Sequence, residues 1–144
     1  MIARLLIPVT PLCCAAPAYL ARAGTPRTPA DLDRHRVVGM RSNPTQRLFS
    51  WEFADADGAV VRHDIAPHLI VNDPAAAALA AAAGAGIAQV GSNVVLPLVR
   101  DGRLTIVLGD RAVRSRGIYA VWPSRRLTPR KVTAFCLLYT SRRG

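Results

Sequence analysis

Few side chains in this sequence stand at spacings that could do chemistry. The first is the pair Asn72-Asp73 in "VNDPAAAALAAAAGAGIAQVG", placed between an apolar run and an alanine stretch. A helix starting there would turn free backbone N–H groups and its positive dipole end toward an anionic ligand. The plainer reading is that Asp73 caps the helix while Asn72 turns the chain. Cys13, Cys14 and Cys136 are odd in number and two of them are neighbours, so a disulfide framework is not expected. No CxxC or histidine-rich spacing suggests a metal site. His35, His63 and His68 are separated by polar, turn-like sequence and read as solvated or structural. Asp55, Asp57 and Asp64 surround a turn signal and read the same way. With no GxSxG, HExxH, phosphate loop or useful Cys/His pair, no catalytic residue and no cofactor is expected, and the chain does not read as an enzyme.

Composition sets the class around these residues. At 144 residues and 51% hydrophobic, the chain is long enough and apolar enough to bury a core. Its net charge of +10 raises nucleic acid as a partner. The basic residues are almost all arginines, however, and they are scattered; the nearest cluster is Arg125, Arg126, Arg130 and Lys131. No interleaving of basic and aromatic residues suits base stacking. The opening "MIARLLIPVTPLCCAAPAYL" has an early Arg and an apolar stretch, but Pro8 and Pro11 interrupt it as a signal helix. No segment is long enough and apolar enough to span a bilayer, so no membrane is expected, and the cysteine usage fits a reducing cytoplasm best.

The elements that must position these side chains follow from local signals. "ARLLI" and "PLCCAA" read as two short strands separated by a proline turn. "APAYLARAG" places Pro17 in a first helical turn and Gly24 at its stop, and "TPADLDRHR" repeats the arrangement with Thr28 as cap. "VVGM" reads as a buried strand. "RLFSWEF" alternates Leu48, Ser50 and Glu52 against Phe49, Trp51 and Phe53, and "ADADGAVVRHDI" is a hairpin turning at Asp57-Gly58. "HLIV" is a strand, Asp73 and Pro74 begin the alanine helix, and so much alanine implies close packing on a sheet. "GIAQV" follows as a strand, "SNVVLPLVRDG" as a short helix capped by Ser92, and "RLTIVL" and "GIYAVWP" as strands. "TPRKVTAF" reads as a last helix. Strands alternating with short helices predict an α/β fold with a mainly parallel sheet, whose ligands bind beyond the strands' carboxyl ends.

The order of these pieces resembles the effector-binding (substrate-binding) domain of LysR-type transcriptional regulators. "LCCAAPAYLARAGTPRTPADLDRHRVV", "WEFADADGAVV", "LIVNDPAAAALAAAAGAGIAQVG", "LVRDGRLTIVL" and "IYAVWPSRRLTPRKVTAF" carry the likeness, in family order, over nearly all of residues 2–135. The resemblance implies a type 2 periplasmic-binding-protein-like fold, with one complete lobe plus the C-terminal part of the other. Residues 1–12 would be the end of the first lobe and a crossover strand, 13–99 the second lobe, and 100–135 the return to the first. It also implies a small, anionic effector bound in the interlobe cleft. Carried over residue by residue, the candidate contacts are Ala15, Ala16 and Pro17 at one strand–helix corner, Asn72 and Asp73 at a second, and Val90, Gly91 and Ser92 at a third.

Two positions depart from the family pattern. Gly91 stands where a Pro is usual, and Ala16 where many members have a hydroxyl, which thins the polar inventory. After Phe135 the family would continue as an amphipathic helix, whereas "CLLYTSRRG" follows here. Cys136–Ser141 matches a translation of a sequencing-adaptor end, so 136–144 is expected to be a non-native tail. The family's DNA-binding helix-turn-helix is not in this sequence, so DNA is expected as a partner only through that missing part. A homodimer through effector domains is the family habit. The competing readings are a free-standing solute-binding protein of the same fold and an inactive truncated gene product.

Overall fold

In a computed structural model the chain divides into two compact units, one formed by Met1–Val9 with Ser115–Gly144 and the other by Thr10–Arg114. The structure describes residues 2–42, 45–113 and 116–122, and the helix expected over 128–135 and the tail from 136 lie outside them. The division falls at Val9/Thr10 and Arg114/Ser115. The strand expected in "RLTIVL" therefore belongs with the larger unit.

Described residues of the smaller unit form an antiparallel pair, β1 (Ile2–Val9) and a later strand at Arg116–Trp122. The expected proline turn is displaced. β1 runs on through Pro8, which stands opposite Gly117, and the extended run breaks only at Thr10.

The larger unit is built on a five-stranded sheet. Its strands are β2 (Pro11–Ala15), β3 (Val37–Met40), β6 (Leu69–Val71), β7 (Ile87–Gly91) and β8 (Thr105–Val107), in the order β6-β3-β7-β2-β8. A separate hairpin joins β4 (Trp51–Ala54) to β5 (Val60–His63), and the strand at Arg116–Trp122 is β9. β6, β3 and β7 pair in parallel, while β2 pairs antiparallel with both β7 and β8. The expectation of a mainly parallel sheet is corrected to a mixed one, in which β2 alone runs against its neighbours.

Strand periodicity sorts the core. Neighbouring side chains point to opposite faces, so Cys13, Val37 and Ile87 join one buried cluster and Cys14, Val38 and Ala88 the other. The first face is covered by Tyr19 of α1 (Pro17–Ala23), Leu32 of the 3-10 turn Pro29–Arg34, and Trp51 and Phe53 of the hairpin. The alternation expected from Leu48 onward holds only from Trp51, for Phe49 precedes the strand and is exposed. The second face is covered by α2 (Pro74–Ala82) and α3 (Ser92–Arg100). Ala77, Ala78 and Ala81 are essentially inaccessible to solvent. Their small side chains let the α2 backbone lie close over β3 and β7. Gly84 ends the helix at φ 91°, as a C-terminal glycine should.

Candidate functional site

The candidate site is an edge of this sheet. Parallel pairing carries the C-terminal ends of β6, β3 and β7 to the same side. The corners β6–α2 and β7–α3 therefore open together, as expected for an α/β sheet. At the first corner Asp73 Oδ2 accepts the N–H of Ala76 at 2.9 Å, and its carbonyl accepts that of Ala77 at 3.0 Å. Asp73 is thus an N-cap, and Pro74 fills the first helical position, where a missing N–H costs nothing. Asn72 is exposed beside it.

The second corner differs from the sequence expectation. Ser92 does not cap α3; it is the helix's first residue, and Gly91 is the N-cap with no side-chain bond. Ser92 turns back toward β2 instead: its Oγ accepts the Thr10 N–H at 3.0 Å while its own N–H donates to the Thr10 carbonyl at 2.8 Å. Pro11 lies opposite Gly91 and Leu12 opposite Val90, so Thr10, where the chain enters this unit, sits at this edge as well. Val90 is buried, and its side chain belongs to the core rather than to the edge.

Ala15, Ala16 and Pro17 are not brought to this edge. Because β2 runs antiparallel, its C-terminal Ala15 lies opposite Thr105 at the start of β8, four residues along from Pro11. At about 3.3 Å per residue, that corner is offset by roughly 13 Å along the strand direction from the edge where the other two lie. Ala15 and Ala16 are buried, and only Pro17 is exposed.

Arg41 is a further candidate at this edge, one that the sequence signals do not single out. It follows β3 directly, as Asn72 follows β6, and donates its N–H to the Val71 carbonyl at 2.8 Å. With Gln46, Ile70, Val71 and Asn72 it lines an open depression of about 260 Å³. The position immediately after a parallel strand was the signal that could have found it. Arg41 Nε is buried without a hydrogen-bond partner, the sole such side-chain atom among the described residues. The edge therefore offers a guanidinium, an exposed carboxamide and the N-terminal end of α2, and the nearby Asp73 carboxylate is occupied by its own helix. These groups can hold and orient a small polar molecule, but they include no nucleophile with an adjacent base.

Elsewhere, burial pushes the Cys14 thiol up to about 12 and raises that of Cys13 further, so neither forms a thiolate near neutrality. Among the described residues no group of three or more His, Cys, Asp or Glu could hold a metal ion. No helix there is long and apolar enough to cross a membrane. The three histidines, unrelated in sequence, all line one cavity of about 180 Å³ on the α1 side of the sheet. They come from three segments that only the tertiary fold unites.

Comparison with known proteins places the chain in a family. The family model for the LysR substrate binding domain matches residues 1–142. A transcriptional regulator of Pseudomonas aeruginosa is 38% identical over 120 residues, which cover 83% of this chain and 39% of that protein. The Escherichia coli HTH-type transcriptional activator AaeR is 31% identical over 119 residues, covering 83% and 38%. The chain spans between 36% and 45% of the first three curated relatives. The CrgA regulatory domain of Neisseria meningitidis superposes with a TM-score of 0.82 at 23% identity, over 99% of this chain and 69% of that one. Full-length AphB of Vibrio cholerae does so at 0.79 and 22%, over 99% and 48%. At such identities these likenesses establish a shared fold.

Proposed function

The chain belongs to the LysR substrate-binding domain family, and on that premise we propose that it is the effector-sensing part of a transcription regulator, binding a small anionic molecule at the β6–α2 and β7–α3 edge. The observation that carries this reading is the meeting of Arg41, Asn72 and the start of α2 on one edge, beside the Thr10 entry of the chain. A guanidinium and a carboxamide there suit a carboxylate, to which arginine presents a planar pair of donors. In the whole regulator, residues outside this chain would contact DNA. The chain works in the cytoplasm by binding rather than by catalysis, and pairs with a second copy through its effector domains.

Ala15 and Ala16 are left out of the proposed contact set, and Val90 contributes only backbone. A thermal-shift screen of small carboxylates on the chain and on its N72A and R41Q variants tests the proposal. Carboxylates that raise the wild-type Tm should lose most of that effect in either variant. A hit whose effect survives both substitutions would move the site elsewhere, and a screen without hits would remove the ligand-sensing reading.

A further inference from the structure

All three histidines of the chain line one cavity, and two of them hold the fold together through the nitrogen that a proton would occupy. Tyr19, almost fully buried on α1, accepts the Arg36 N–H on its hydroxyl oxygen at 3.0 Å. Its own hydrogen is left to donate to His35 Nδ1 at 2.9 Å. The opposite assignment would leave a buried phenolic hydrogen without an acceptor. His68 Nδ1 likewise accepts the Val37 N–H, at a longer 3.4 Å. Both rings are therefore neutral, with their hydrogen on Nε2. The third, His63, meets Asp33 Oδ1 through Nε2 at 3.2 Å. Leu32, Val37 and Ile65 complete the walls.

From this arrangement we infer that the histidine cavity is a proton-sensitive joint: protonation of His35 and His68 releases Tyr19 and Val37 and parts the 3-10 turn and the β5–β6 connection from β3. A proton on either Nδ1 turns an acceptor into a donor that faces another donor. It also adds positive charge to a cavity whose lining holds a single carboxylate, Asp33, already engaged by His63. The other charged groups nearby divide. On the turn, Arg34 opposes a charge on His35 and Asp31 favours it. On β5, Arg62 lies toward Glu52, and Asp64 beyond it accepts from Ser50.

The direction at His35 agrees. Burial, and then Arg34, hold it below the ordinary value of 6.5. A histidine lowered in the folded state stabilises fully above the unfolded value and loses that contribution as pH falls toward the folded one. At His35 the joint is closed above the ordinary histidine value and loosens as pH falls below it. The same tautomers argue against a metal at this cavity, since a ligating Nε2 would have to give up its hydrogen to Nδ1.

The test is a titration of the full chain from pH 8 to pH 5 by NMR, reading imidazole nitrogens and the amide exchange of Arg36 and Val37. At pH 8 both His35 and His68 should carry hydrogen on Nε2. Each pH unit below the controlling pKa should raise the open population, and with it exchange at the two amides corrected for intrinsic rates, about tenfold. H35N/H68N, whose side-chain oxygens can replace Nδ1 but do not titrate, should keep both amides protected at pH 5. An Nδ1–H tautomer at pH 8, amides that stay protected at pH 5, or opening of the double variant at the wild-type pH would each overturn the proposal. If the variant does not fold, the wild-type tautomers and exchange rates decide alone.

Discussion

Gly86 shows how much of this fold can hang on a missing side chain. Its φ is 148°, and a Cβ placed on it would lie 2.4 Å from the Arg36 carbonyl oxygen. That oxygen accepts the Ile87 N–H at 2.9 Å, the contact that begins the parallel pairing of β3 with β7. An alanine there meets a backbone atom that cannot move without undoing the pairing, and adopts a φ that L residues avoid. G86A should cost more than about 2 kcal/mol, measured as a lower denaturant midpoint with the m-value unchanged. G58A is the control. Gly58 also has positive φ, at 82°, but a Cβ added to it would meet nothing within 4 Å. Its loss should be limited to backbone strain of about 1 kcal/mol.

At the scale of elements, α2 is a helix chosen for thinness. Ala78 has no exposed surface, and its neighbours Cys14, Val38 and Ala88 form the buried sheet face beneath the helix layer. Ala78→Leu should therefore overpack the layer and cost about 1–3 kcal/mol. Leu79 is half exposed on the same helix, so Leu79→Ala should lose less than about 1 kcal/mol; thermal unfolding of both variants checks the contrast. Such features were legible in the sequence because they are local. Asp73 caps a bond three residues away, Pro74 occupies the next position, and Asp55 Oδ1 takes the N–H groups of Asp57 and Ala59 within one hairpin turn. What escaped was contact at long range. Ser92 has the composition of a cap, yet its partner is Thr10, 82 positions earlier. The reversed direction of β2 put Ala15–Pro17 at the wrong edge for the same reason, since alternation locates a strand but not its sense. Arg41 and the histidine cavity needed β3 to be placed between β6 and β7 before their neighbours could be named.

On the scale of the whole molecule, the two units differ in what supports them. The larger has a five-stranded sheet with a buried cluster on each face. The described part of the smaller is a two-stranded pair, β1 with β9, whose ladder is interrupted by a register shift between Leu5 and Ile7. A sheet of two strands is marginal by itself, whereas strands covered on both faces open only with the unit that holds them. Leu5 is 42% exposed and Val121 54%, so part of the pair's apolar surface contributes little to its stability. Hydrogen exchange should therefore find the amides of β2 and β7 protected to the global limit, and those of Ala3, Arg4 and Leu5 exchanging well before them. Equal protection would mean that the β1–β9 pair opens only with the larger unit. A deficit abolished by a small-molecule effector would mean that ligand binding and the order of this pair are coupled, which is how a sensing domain can report occupancy to the rest of a regulator.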